Sequence, residues 1–416
     1  MPTSEADRKP FAVRRSPGEN VMGNDRLQNR ILSVFFLAFL LLSFVLNGFW
    51  PAAVDGSALE GVSLRPDRFL AAVKLGFLEN LWAEDAFIKL NGSVTKAMDM
   101  RSYYSSRYGF YLNDDGMIVS VYPQTSTDYE YEQLLDFRDF LAANGIRMLY
   151  VSLPNKYLDD AEIRDEFSTE SYCNRNVDRL LERLRAADVP VLDLREDIVG
   201  EKLNVSDLFY RTDHHWTVEA AFWAARRIAV GGLDRFCGYD IDPALYDKDR
   251  YLFRHWESCW VGEQGRKLSE SYVGWDDYTL ILPDFPTHYR FKSGDGTFTE
   301  GGFEGFIDTE RLNGDGPVPG KGLHYAYRLR DSVNLDAADG KVLLLRDSFS
   351  NPLAPFLSLG IRELDTLALR SYDSSFDLRE RILREGYDTV LICYSTAMIG
   401  AHDTPESANY RMFDFH

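Results

Sequence analysis

Two short stretches gather residue types that can supply a nucleophile, a base and an acid. The first is Tyr210-Arg211-Thr212-Asp213-His214-His215-Trp216-Thr217, ahead of a helix predicted to start near Thr217. In extended backbone, residues two apart point the same way, so Asp213 and His215 share a face while His214 turns elsewhere. A carboxylate beside an imidazole orients it and leaves the second ring nitrogen free as a general base. Two plainer readings compete: an aspartate before a helix often caps it, and a histidine pair often serves packing. A metal site on Asp213, His214 and His215 has less support, because no further His or Cys stands at ligand spacing nearby, and no metal is expected.

The second stretch is Lys341-Val342-Leu343-Leu344-Leu345-Arg346-Asp347-Ser348-Phe349-Ser350-Asn351-Pro352. An apolar strand ends in Asp-Ser and Pro352 opens a helix, which puts Ser348 in the turn between them. There its hydroxyl can face a cleft, with its own N–H and the helix N-terminus available to a developing oxyanion. Alone, Asp347 or Ser348 reads as a helix cap. Together, the two stretches hold the parts of an acyl-transfer triad.

These parts need a frame, and helix and strand patterns alternate on either side of them. Helical spacing over Tyr129 to Asn144 is followed by the strand Arg147 to Leu153, and helical spacing over Ser171 to Ala187 by the strand Val189 to Leu194. A third helix runs from Val218 to Ala229. After a break the rhythm resumes with strands at Lys341 to Leu345, Glu363 to Leu369 and Thr389 to Tyr394, separated by helices at Pro352 to Leu359 and Leu378 to Glu385. Apolar strands alternating with helices predict an α/β fold, a parallel sheet covered on both faces, with sites beyond the carboxyl ends of its strands. Residues 232–340 break the pattern, with nine glycines between Ser293 and Gly322, and are expected to form an irregular insertion or a small β-rich lobe. Ahead of residue 128, alternating apolar residues around Asn113-Asp114-Asp115-Gly116 predict a β-hairpin.

The pair Asp213-His214-His215-Trp216 and Asp347-Ser348-Phe349 resembles the DHHW family, in the alginate O-acetyltransferase-like branch of the SGNH hydrolase superfamily. The likeness runs from about residue 100 to about Tyr394, and the Asp-x-His motif precedes the serine, the permuted order of that branch. The resemblance implies an SGNH-like fold, with Ser348 as nucleophile, His215 as base and Asp213 as the acid that orients it. It also points to Asn351, Tyr372, Arg346 and Trp216 as substrate or oxyanion candidates. Arg346 stands where ordinary SGNH enzymes carry a glycine.

The 416 residues include 46 basic and 65 acidic side chains, a net charge of −19. Such a surface repels a phosphate backbone, so nucleic acid is excluded as a partner. From Ile31 to Trp50 there is no charge, and at 1.5 Å per residue the stretch spans roughly 30 Å, the hydrocarbon thickness of a bilayer. It reads as one membrane anchor, since Pro51-Ala52-Ala53-Val54 makes a poor cleavage site. Arg8, Lys9, Arg14, Arg15, Arg26 and Arg30 outnumber the acids before it, which predicts a cytoplasmic tail over 1–30, an anchor over 31–50, a juxtamembrane segment over 51–127 and an extracytoplasmic acyltransferase domain over 128–416. Cys173, Cys237, Cys259 and Cys393 could then form disulfides, with Cys237 and Cys259 the first pair to test.

The expected activity is O-acetylation of a cell-surface or secreted polysaccharide through an acetyl-Ser348 enzyme, with no cofactor. The donor would come from a multispanning, membrane-bound acyl-carrier protein. The alternatives are an acetyl esterase with the same triad and a non-catalytic glycan-binding scaffold of an export complex. A strongly anionic glycan would require a local basic or aromatic groove in so acidic a chain.

Overall fold

Over residues 148–151, 342–345 and 390–393 apolar residues run without a polar break, and the reason is that both faces of the sheet are covered. The computed structural model describes residues 34, 37–38, 84–100, 102–104, 109–163, 170–338, 340–373, 375–400 and 409–416. Contacts divide the chain into two units, Met1–Phe87 and Ile88–His416. Apart from Val34, Leu37 and Ala38, the apolar stretch over 31–50 lies outside the described residues, as do residues 51–83. Among the described residues no helix is long and apolar enough to cross a membrane.

The second unit is built on an eight-stranded sheet. Its first strands are β1 (Arg147–Leu153) and β2 (Val191–Asp193). Three more come from the segment before residue 340: β3 (Tyr289–Lys292), β4 (Phe298–Gly301) and β5 (Ser332–Asn334). The last are β6 (Lys341–Arg346), β7 (Glu363–Leu367) and β8 (Thr389–Ser395). Their spatial order is β2-β1-β8-β6-β7-β5-β3-β4, parallel from β2 to β7 and antiparallel beyond. Side chains alternate between the faces. Val342 and Leu344 join the core under the helix Val218–Arg226. Leu343 and Leu345 join the opposite core, under the helices Asp128–Ala143, Cys173–Ala186 and Leu378–Glu385.

The parallel α/β architecture expected from the alternation is therefore present. So is the hairpin: Gly109–Leu112 pairs antiparallel with Ile118–Val119 across the turn at Asn113 to Gly116. The helix Val218–Arg226 continues as a π-helix over Arg227–Leu233. Gly232 lets it lie close on the sheet, because a Cβ there would stand 3.0 Å from Leu149 Cδ2 and 3.2 Å from Leu192 Cδ2.

Two readings need correction. The segment 232–340 is less irregular than its glycines suggest, since it contributes β3, β4 and β5 to the main sheet and also a separate ribbon of Tyr251–Trp260 against Asp276–Pro283. The glycines fall in its turns and at strand ends such as Gly301, where they mask the strand signal. Cys237 and Cys259 do not pair, and all four cysteines are free thiols. Cys237 and Cys393 are buried as small apolar side chains.

Leu344 is fully buried in β6, one of the two central strands of the sheet. Leu344→Ala is expected to cost about 2–5 kcal/mol by loss of burial and an unfilled cavity, read from denaturant unfolding of the two chains.

Candidate active site

The strands β1, β6, β7 and β8 all end at one edge, and the turns that follow them line a cleft of about 310 Å³. Pro154 and Asn155 come from the end of β1, Ser348 and Phe349 from β6, Arg370 from beyond β7, and Ser395 to Met398 from β8. Tyr122, His214, Glu263, Gln264 and Tyr325 also line the cleft. A larger cleft of about 620 Å³, around Phe285 and Glu300, contains none of Asp213, His215 and Ser348.

Those three residues meet. His215 Nε2 lies 2.8 Å from Ser348 Oγ, and His215 Nδ1 lies 2.6 Å from Asp213 Oδ1. With Nδ1–H donated to the carboxylate, Nε2 is left to accept the serine proton. Asp213 and His215 are buried, while Ser348 is half-exposed to the cleft. Burial alone would raise the Asp213 carboxyl, but the hydrogen bond from His215 and the neighbouring imidazoles outweigh it and hold the group well below the ordinary carboxylate range. His214 is pushed down to about 4, by burial first and by His215 second, so its ring is neutral at pH 7.

Neither helix depends on these residues for its cap. Thr217 caps the helix Val218–Arg226, its side chain accepting from Ala220 N at 3.1 Å, so Asp213 is not needed there. The helix Ser350–Leu357 has no side-chain cap at its start. Asp347 instead ties down the nucleophile turn: its Oδ1 accepts from Phe349 N at 3.0 Å and its Oδ2 from Ser395 N at 2.7 Å, which pins β6 to the end of β8.

The loop carrying Asp213 is closed by a bridge between Phe209 and Trp216, and Tyr210 N donates to His215 O at 3.2 Å. Asp276 accepts from the N–H groups of Arg211 and Thr212 at 2.8 and 2.9 Å. Thr212 Oγ accepts from Gly262 N at 2.6 Å, and Asp213 Oδ2 from Glu263 N at 2.8 Å. Gly262 is needed for this approach, since a Cβ there would stand 2.4 Å from Asp213 Cβ. Beneath the loop, buried Lys156 donates to Ile118 O at 2.8 Å and Arg211 O at 3.2 Å. Burial pushes its ammonium down to about 7, against the pull of Asp213 and Asp276.

The remaining sequence candidates do not line the cleft. Trp216 is buried, with Nε1 donating to Phe349 O at 2.9 Å, and it braces the nucleophile turn from behind. Asn351 is buried in the first turn of its helix, where its backbone N donates to Ser348 O at 3.2 Å. Tyr372 packs against Phe376 with ring centres 4.2 Å apart and planes tilted by 33°. Arg346 is half-buried beside Asp347, and its Nε has no hydrogen-bond partner. Sequence reasoning passed over Asn155, Lys156, Asp276, Tyr325 and Arg370. Asn155 and Arg370 had a usable signal, their places just beyond the carboxyl ends of predicted strands; the others had none. The metal-binding alternative fares poorly: donor atoms of Asp213, His214 and His215 lie within 4.8 Å of one another, but both Asp213 oxygens and His215 Nδ1 are already spent on hydrogen bonds.

For Lys156, the folded state holds fewer protons than the unfolded chain between about pH 7 and the ordinary lysine value of 10.5. Its contribution to stability is therefore greatest above that window, is lost as pH falls through it, and is flat below. Relative to Lys156→Met, the native chain is expected to gain stability from pH 7 to pH 10 in denaturant unfolding; parallel curves would contradict a displaced Lys156.

Comparison with known proteins agrees with this frame. The family model for the SGNH hydrolase-like domain of acetyltransferase AlgX matches residues 119–232. No curated protein matches the chain by sequence. The structure of Bacillus cereus PatB1 is similar with a TM-score of 0.59 at 19% identity, covering 74% of this chain and 99% of that one. A DHHW family protein from Eubacterium siraeum is similar with a TM-score of 0.55 at 16% identity, covering 75% and 96%. At such identities the structural likeness speaks for the fold alone, and the family match over residues 119–232 fits an SGNH-like domain similar to that of the DHHW and AlgX-like branch.

Proposed function

We propose that the chain is an extracytoplasmic O-acetyltransferase acting on a polysaccharide, anchored by the apolar stretch over 31–50. The observation that carries this reading is the line from Asp213 through His215 to Ser348 Oγ at the mouth of the cleft, in a chain whose residues 119–232 match an acetyltransferase family.

In the first half-reaction Ser348 Oγ attacks the donor's acetyl carbonyl while its proton passes to His215 Nε2. The tetrahedral intermediate collapses, the donor's leaving group takes that proton, and acetyl-Ser348 remains. In the second half, a sugar hydroxyl gives its proton to His215 and attacks the acetyl group, and Ser348 leaves with the proton returned. Asp213 holds the Nδ1–H tautomer and balances the transient imidazolium. The Ser348 N–H and the Asn155 side chain, which lines the cleft, are the groups available to the oxyanion. The donor would be a multispanning membrane protein presenting an acyl group outside the membrane.

The cleft carries the basic feature that an acidic chain would require for an anionic glycan. Arg370 lines it with no carboxylate within ion-pair distance among the described residues, whereas Glu263 is paired with Lys267 at 2.7 Å. Hydrolysis is the competing outcome, since water can enter the same cleft and replace the sugar hydroxyl.

Incubation with a chromogenic acetyl ester should add one acetyl group to Ser348 by mass spectrometry. Ser348→Ala is expected to remove the adduct and lower turnover at least ~1,000-fold. An oligosaccharide that gains an acetyl group marks a transferase; ester cleavage with no gain by any acceptor marks an esterase. A folded chain with neither adduct nor turnover would overturn both and favour the scaffold reading.

A further inference from the structure

One buried titratable side chain touches both the base and the nucleophile's backbone, and the proposed chemistry leaves it without a role. His324 lies in the short turn Leu323–Ala326, inside the glycine-rich segment. Its ring stacks face to face on His215, with centres 3.4 Å apart and planes 9° from parallel. Its Nε2 lies 2.6 Å from Ser348 O, a separation and chemistry that make Nε2–H the donor. The same peptide is gripped at its other end, where Phe349 N donates to Asp347 Oδ1 at 3.0 Å.

His324 is itself held firmly. Gly322 O accepts from Arg311 Nη1 at 3.1 Å, and the Tyr327 hydroxyl bridges Ile281 O at 2.8 Å and Ile281 N at 2.9 Å. Leu323, Ala326 and Tyr327 are fully buried. The turn is thus fastened to the ribbon that also supplies Asp276.

Packing alone does not account for a histidine here. A phenyl ring would fill the same space without a buried polar edge, yet His324 Nδ1 is buried with no hydrogen-bond partner. An unpaired buried acceptor carries a free-energy cost. What a histidine adds over phenylalanine is the Nε2–H that meets Ser348 O. Burial first, and the nearby His215 second, hold His324 well below the ordinary histidine range, so it stays neutral and keeps Nε2–H on that bond.

We propose that His324 is a positioning residue: its ring face holds His215 against rotation, and its Nε2–H fixes the Ser348 peptide, so that Oγ and His215 Nε2 stay aligned while the proton moves between them. His324 and His214, whose ring centres lie 3.4 and 3.8 Å from that of His215, together restrict its swing out of the Asp213 to Ser348 line. Misalignment by about an ångström at a reacting centre can cost ~100-fold in rate. This inference rests on Ser348 being the nucleophile.

The test is ester turnover by the full chain carrying His324→Ala, His324→Phe or His324→Gln, beside Ser348→Ala. His324→Ala is expected to lower kcat about 10–100-fold with KM within about twofold, because the loss falls on alignment and not on binding. His324→Phe, which keeps the stack, and His324→Gln, which restores a donor near Nε2, should each recover part of the loss. Unchanged kcat in these variants, with Ser348→Ala inactive, would overturn the role of His324 alone. A loss confined to melting temperature or KM would likewise make the residue merely structural. Full activity in Ser348→Ala would instead remove the nucleophile reading on which the inference stands. Should His324→Ala fail to fold, the Phe and Gln variants decide, since each preserves volume or polarity at the site.

Discussion

A buried carboxylate is costly to keep charged, and the rest of the site depends on how Asp213 is satisfied. One oxygen takes both the ring and the backbone N–H of His215, at 2.6 and 3.1 Å, and the other takes Glu263 N at 2.8 Å. The ring bond fixes the imidazole tautomer, the backbone bond holds the turn, and the third ties the loop to the segment beyond residue 260. Remove the carboxylate's partners and the group would protonate, and His215 would lose the hydrogen bond that aims Nε2 at Ser348.

The sheet supplies the other half of the alignment. Four neighbouring strands end together, so the turns after them converge on one cleft, and Asp347 links two of those ends by bonding Phe349 N and Ser395 N. Ser348 is thereby presented from the end of a central strand, while the Asp213 loop is carried by a bridge, a buried lysine and Asp276. Rigid support on both sides fits a site whose chemistry asks for proton transfer over a short, fixed distance.

Much of this was legible before any coordinates. The apolar run Lys341 to Leu345 and the strand from Arg147 to Leu153 are long, continuous and bounded by turn residues, so their type and place were clear. Asp213 and His215 are two apart in one loop, and local spacing was enough to pair them. Ser348 could be placed at a strand end because the strand before it was unmistakable. What failed was side-chain direction: the period of two stops where a strand stops, which leaves Asn351 and Tyr372 undetermined, and neither Arg346, the last residue of its strand, nor Trp216 lines the cleft. His324 and Asp276 were invisible for a different reason. They lie in the segment 232–340, and their partners are 24 and 64 or more residues away, set by how the ribbon closes on the sheet.

The account turns on the tautomer that Asp213 imposes on His215. Nitrogen-edited proton NMR of the chain labelled at histidine measures it directly. The expected result at pH 7 is a His215 proton on Nδ1, shifted far downfield by its short bond to the carboxylate and abolished by Asp213→Asn. A proton on Nε2, or an Nδ1 resonance indifferent to Asp213→Asn, would mean that the base does not face Ser348 with its free nitrogen, and the account would fail at its centre.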